Sequence, residues 1–395
     1  MISTRGQGVR KLLRRNQKCA VRVLMTLSIA YCLLVTQRGA IAGIFGFGDD
    51  SAHLAKPQFR LRESFQVSSV AWSPDGRYIA SGSMADRRLD IWDVAQRKIV
   101  TVLLRKFPPA YFHDISWSLD GRYIAFCDAG VLAVYRTSDW SEVHSFRGPP
   151  GNAGCTASAF SSDSRRVALL GTRFLGVYSI PGWSTLKSVN LGNGWGHADG
   201  FHALVYLPGT YTLLLAGGQV VMMAPHGKRE TGWDGRVWFF DANDQEPSRS
   251  IRTYRPGCDQ GGGGEARNIT VSPDGQYIVT GAQTGAGGGP CAIATESIHV
   301  LRTSDGRIVA APLDGLPPVK FGGGIAAVYT HDGRYVIVPH GVWAGWVHVL
   351  DGKTFKVIDL VRADAFPCDV AVNQVDDRFV LAAGDQLLVW QLTTR

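Results

Sequence analysis

His197, His202, His226 and His340 are the side chains of this chain best suited to holding a metal or moving a proton. None stands at His-x-His or His-Glu-x-x-His spacing, so a metal site would have to be assembled from separate segments, and none is expected. Ser81 and Ser83 in "SGSMAD" resemble a nucleophile elbow but lack the Gly-x-Ser-x-Gly frame. The glycine runs 261–264 and 287–289 are not followed by Gly-Lys-Ser/Thr, so they read as flexible loops and not as phosphate cradles. Carboxylate pairs brought together from distant segments stay open as a catalytic device, but nothing in the spacing locates one. No cofactor is implied.

The elements that must position such groups repeat. "WSPDGRYIASG" from Trp72 recurs as "WSLDGRYIAF" from Trp117, "VSPDGQYIVTG" from Val271 and "YTHDGRYVIV" from Tyr329. Aligned on the turn, the copies sit at Gly76, Gly121, Ser164, Gly209, Gly275, Gly333 and Asp377. Each turn is flanked by short alternating strands, such as "SVAWS" before and "YIASG" after, with a third ("LDIWDV") and usually a fourth ("KIVTVL") following. Asp-Gly between alternating apolar runs is a strong hairpin signal, because Gly accepts positive φ. One such four-stranded meander cannot bury both faces, whereas seven arranged around an axis can. The expected fold is all-β, a seven-bladed β-propeller of four-stranded antiparallel blades over residues 57–395, after a linker at 43–56. The last unit has three strands, and the orphan strand "QFRLRESF", Gln58 to Phe65, is expected to close it as an outer strand.

The unit resembles the WD repeat of WD40-type propellers, most closely at "SSVAWSPDGRYIASGSMADRRLDIWDV", Ser68 to Val94. The Trp-Asp dipeptide itself occurs only as Trp92-Asp93, and the usual Gly-His pair before the first strand is missing. The family's buried His/Asp hydrogen-bond network therefore lacks its residues, and apolar packing is expected to hold the blades instead.

Strand parity puts the Asp-Gly turns at one end, the bottom, and the longer connections at the top. Insertions at Gly217 to Gly235, Tyr254 to Ala266, Ala282 to Glu296 and Asp314 to Gly324 fall there. The expected binding surface over blades four to six comprises Trp195, His197, Asp199, His226, Arg229, Trp233, Asp259, Glu265, Arg267, His340, Trp343 and Trp346. Solvated loop residues with packed-down aromatics are the competing reading. Cys258 and Cys291, on neighbouring top loops, form either a disulfide or two free thiols.

Net charge is +8, but eight basic residues and no acidic ones lie in the first 42, leaving 33 basic against 33 acidic in the remainder. A neutral body lacks the footprint of a nucleic-acid binder. Residues 1–42 read as an export signal, with a basic stretch to Arg22, the apolar "VLMTLSIAYCLLV" and a small-residue cleavage site at Ala40-Ile41-Ala42. An uncleaved anchor is the alternative, and a membrane contact is expected only through it. Cleavage would leave five cysteines, an odd number.

The reading is a non-catalytic, monomeric, exported propeller, periplasmic or extracellular, that binds a protein, peptide or glycan partner through its top loops. Two alternatives remain. One is a propeller-type enzyme, a lactonase or quinoprotein-like dehydrogenase, with its site at the central funnel. The other is a cytoplasmic WD-repeat scaffold.

Overall fold

A computed structural model describes residues 53–393, apart from 84–87, 105–113, 129, 150–154, 172, 192–200, 224–228, 242–243, 254–264, 284–296, 314–325, 341–344, 364 and 366. The described residues form seven antiparallel four-stranded sheets. Blade one has Ser69–Trp72 innermost, then Tyr78–Gly82, Arg88–Asp93 and Lys98–Leu104 outermost.

The recurring turn has a side-chain reason. Ser73 Oγ donates to Asp75 Oδ1 at 2.5 Å and accepts from the Tyr78 amide at 2.8 Å, while Asp75 also accepts from the Arg77 amide at 3.0 Å. The same Ser/Thr and Asp bonds recur at Ser118/Asp120, Ser161/Asp163, Ser272/Asp274 and Thr330/Asp332. Each motif satisfies backbone donors that a tight turn would otherwise strand. Gly76 takes φ +71°, and a Cβ there would sit 2.8 Å from the Asn373 side chain, so both conformation and space ask for glycine. Blade seven departs: its register pairs Val372 with Phe379 as blade one pairs Trp72 with Ile79, which aligns Asp376, not Asp377, with Gly76.

Closure takes the expected form. Strand Ala55–Arg62 pairs antiparallel with Gln386–Leu392 and becomes the outer strand of blade seven, beginning three residues ahead of Gln58. Its start is clasped twice. The Asp359 carboxylate of blade six accepts from the Leu54 and Ala55 amides at 2.6 and 3.0 Å and meets His53 Nδ1 at 2.8 Å. The Leu54 carbonyl accepts from the Thr393 amide at 2.8 Å.

Apolar packing holds blade to blade. Leu61, Val70, Ile79 and Trp92 pack with Val380, Leu387 and Val389 across the closure, and similar clusters fill the other junctions. Blade one also contains a polar network, which corrects the expectation of apolar packing alone. Glu63, buried just after the closing strand, accepts from Trp92 Nε1 at 2.6 Å and from the Ser81 hydroxyl. A buried indole N–H and hydroxyl require an acceptor, and here a glutamate supplies it.

Two further features differ from expectation. The blade-four insertion is a continuation of strands Leu213–Met223 and Arg229–Phe240, with Val220 opposite Gly232 and Met223 opposite Arg229. Its "QVVMM" run extends the ladder of the strand before it, so this part of the insertion is an arm and not an irregular loop. The second is a disulfide, Cys127–Cys155, joining blade two to blade three; Cys258 and Cys291 lie outside the described residues. Cys368 is a free thiol.

Deleting Ala55–Glu63 is expected to lower the melting temperature by roughly 10 °C or more, because it bares the edge of Gln386–Leu392 and unseats Trp92. Calorimetry of the truncated and full chains checks this, and an unchanged transition contradicts closure by this strand.

Candidate functional site

The seven innermost strands surround a central channel of about 310 Å³. Its charged or titratable lining side chains are Asp114, Asp369 and His202, with Asn268 and Gln374 adding amides. No lysine or arginine lines it among the described residues. Asp114, Asn268 and Asp369 occupy one repeat position, three residues before Trp117, Val271 and Val372, the last residues of their innermost strands. They stand away from the Ser-x-Asp-Gly turns, so the three residues ring the top mouth.

Each ties its blade to the next. Asp114 Oδ2 accepts from the Ser158 amide at 2.7 Å, Asn268 Oδ1 from the Ala327 amide at 3.1 Å, and Asp369 Oδ2 from the Val70 amide at 2.9 Å. The Ser116 and Ser158 hydroxyls add a contact at 2.7 Å. These bonds favour ionised carboxylates, but withdrawal from water outweighs them. Burial pushes Asp114 up to about 7, helped by the charge of Asp369, and pushes Asp369 up to about 6. The mouth therefore holds two acids that titrate near neutrality beside His202, and a cation placed between them would favour their ionised forms.

The sequence-derived surface is only partly within the described chain. Trp195, His197, Asp199, His226, Asp259 and Trp343 lie outside the described residues. Arg229 and Trp233 lie on the blade-four arm, Trp233 opposite Gln219. Glu265 and Arg267 belong to the innermost strand of blade five, Glu265 opposite Gln283, and so continue a strand where a loop was expected. His340 and Trp346 are brought together as register partners at the end of blade six. The sequence-derived surface does not include Asp114 and Asp369, although an acid stands in "DISWS" and "DVAVN" where three other repeats carry Ala157, Ala203 and Ala326.

Two other places have site-like composition. A groove of about 580 Å³ runs between the outermost strands of blades four and five, with Arg252, Arg307 and Ile251 among its walls. His331, Asp332 and Asp377 cluster on the turn face with ligand atoms within 4.8 Å of one another. Arg334 already holds both of those carboxylates, bonding Asp332 through Nε and Asp377 at 2.9 Å, so the group reads as an ion-pair cluster.

Asp114→Asn preserves the acceptor for Ser158, as Asn268 does in blade five, and removes the cost of burying a charge. The folded protein binds this proton more tightly than the unfolded chain, so wild-type stability is lost as pH rises from about 4 towards 7. The variant should exceed wild type by roughly 1–3 kcal/mol at pH 8 and match it at pH 4. Denaturant midpoints at the two pH values test this.

Comparison with known proteins bears on one repeat. Residues 55–93 match the family described as WD domain, G-beta repeat. A U3 snoRNP-associated protein-like protein, YAOH, of Oryza sativa subsp. japonica is 47% identical over 47 residues, covering 12% of this chain and 9% of that protein's length. The match thus covers the closing strand and the first three strands of blade one, and that stretch is similar to a WD repeat within a seven-bladed β-propeller.

Proposed function

We propose that the protein is an exported, non-catalytic interaction platform that holds a partner protein or peptide over the top mouth of the channel. The observation that carries this reading is the contrast between the two ends of the ring. On the turn face the Ser/Thr and Asp side chains are consumed in the turns themselves. At the mouth, Asp114, Asp369 and His202 face a channel with no lysine or arginine among its described lining residues. The His340/Trp346 strand end and the blade-four arm rise from the same end of the ring. Such a surface suits a partner segment that presents a positive charge together with apolar or aromatic groups. WD-repeat propellers serve as protein-interaction scaffolds, and fold alone goes no further than that.

Export is supported by residues 1–42 and by the Cys127–Cys155 disulfide, a bond that persists in oxidising compartments. Among the described residues no helix is long and apolar enough to cross a membrane.

The test is affinity capture from a cell-envelope fraction with wild type, an Asp114→Asn/Asp369→Asn variant and a Trp233→Ala/Trp343→Ala/Trp346→Ala variant. Wild type should retain a partner that each variant loses at least tenfold, and identical partner sets for all three contradict the placement. Mature protein from that fraction should begin at Gly43 and yield a Cys127–Cys155 cross-linked peptide. A chain that starts at Met1 and is found only in the cytosol contradicts export.

A further inference from the structure

Glu63 occupies the seam of the ring. Its amide donates to the Asp385 carbonyl of blade seven at 2.9 Å, and four residues later the Val67 amide donates to the Gly384 carbonyl at 2.8 Å. Its side chain points the other way, into blade one. There Oε1 takes the Trp92 indole N–H at 2.6 Å and the Ser81 hydroxyl, so one carboxyl oxygen joins the closing segment to two strands of the first blade. Oε2 is buried and meets no donor. The group beside it is the Asp90 carboxylate, fully buried on the third strand.

We propose that Glu63 is a proton-operated latch on ring closure: in its neutral form it holds the closing strand to blade one, and its ionisation loosens that seam.

The charges around it support this. From the third strand come Asp90 and, bonded to Asp90 through Nε at 2.7 Å, Arg88, whose guanidinium lies over Phe65. From the second strand comes the Ser81 hydroxyl. Blade seven contributes backbone carbonyls, and the Asp385 side chain is exposed. A protonated Oε2 can donate to Asp90, whereas an ionised Oε2 faces a like charge in a buried setting that screens it poorly. Arg88 is bonded to Asp90 and does not bond Oε2.

Burial is the first cause that raises Glu63, to about 7 from its ordinary 4.5. An acid so raised binds its proton more tightly in the closed ring than in the open one. Closure is therefore strongest below about pH 4.5 and weakens as pH rises through 7, after which the deficit stays constant. A shift of that size corresponds to a change of about 300-fold in the closing equilibrium across the window.

Asp114 and Asp369 titrate in the same direction, and Asp369 also spans blades seven and one, so the readout must be local. Hydrogen exchange of the Ala55–Arg62 amides, corrected for intrinsic rates, is followed from pH 5 to 8.5 in wild type, Glu63→Gln, Asp114→Asn and Asp90→Asn. Wild-type protection should fall by tens to hundreds of fold over that range. Glu63→Gln should flatten the profile at high protection, Asp114→Asn should keep the wild-type slope, and Asp90→Asn, by removing the like charge beside Glu63, should move the midpoint to lower pH. A flat wild-type profile, or the same slope in Glu63→Gln as in wild type, overturns the proposal. Should Glu63→Gln fail to fold, an unmoved midpoint in Asp90→Asn overturns it equally.

Discussion

A ring of sheets has no edge at its seam only if a strand from one end of the chain completes a sheet begun at the other. Here Ala55–Arg62, from the start of the described chain, completes the blade whose other strands are the last three, and the remaining geometry inherits that constraint. The seam fixes where blade one stands against blade seven, hence the spacing of the innermost strands and the width of the channel they enclose. The same segment supplies the acceptor for the buried donors of Trp92 and Ser81, so one stretch of chain settles both a sheet edge and a core hydrogen bond.

The repeat divides polar work between the two ends of each blade. At the bottom, Ser/Thr and Asp side chains close onto their own backbone within five residues, a solution that can be copied blade after blade, with ties such as Arg334 to Asp377 and the Asp120 amide to Ser164 Oγ added between neighbours. At the top, the ties run from blade to blade through Asp114, Asn268 and Asp369 and depend on residues some 44 to 300 positions apart. Polar groups committed locally leave nothing for a ligand, whereas carboxylates set around a shared opening retain a preference about what occupies it.

Most of the scaffold is legible in the sequence because its signals are short-range. Alternating strands, Asp-Gly turns and the unpaired strand before the first unit suffice for seven blades and for the closure. Glu63 is not legible in the same way. It stands 18 and 29 residues from Ser81 and Trp92, and no local pattern links the three. The ring of Asp114, Asn268 and Asp369 was visible as a position where acid or amide replaces alanine, but its meaning depends on the neighbouring blade's amide, which no single repeat reveals. The blade-four arm has no strand signal in the sequence because glycines at 217, 218 and 232 interrupt the pattern of a ladder that runs past them. The long glycine-rich connections carry no periodic signal at all, which is why Trp195, His197 and Asp259 could be named as loop residues and nothing more.

The closing pair also has a mechanical consequence. Ala55 lies opposite Leu392, with the Leu54 carbonyl bound by the Thr393 amide, so the free ends of the two strands leave the ring side by side. Tension applied between them would load the Ala55/Leu392 rungs first and peel the ladder one rung at a time towards Arg62 and Gln386. A fusion or surface tether that pulls these two strand ends apart would thus load the closing ladder rung by rung, whereas one that pulls along the strand pair would load its rungs together.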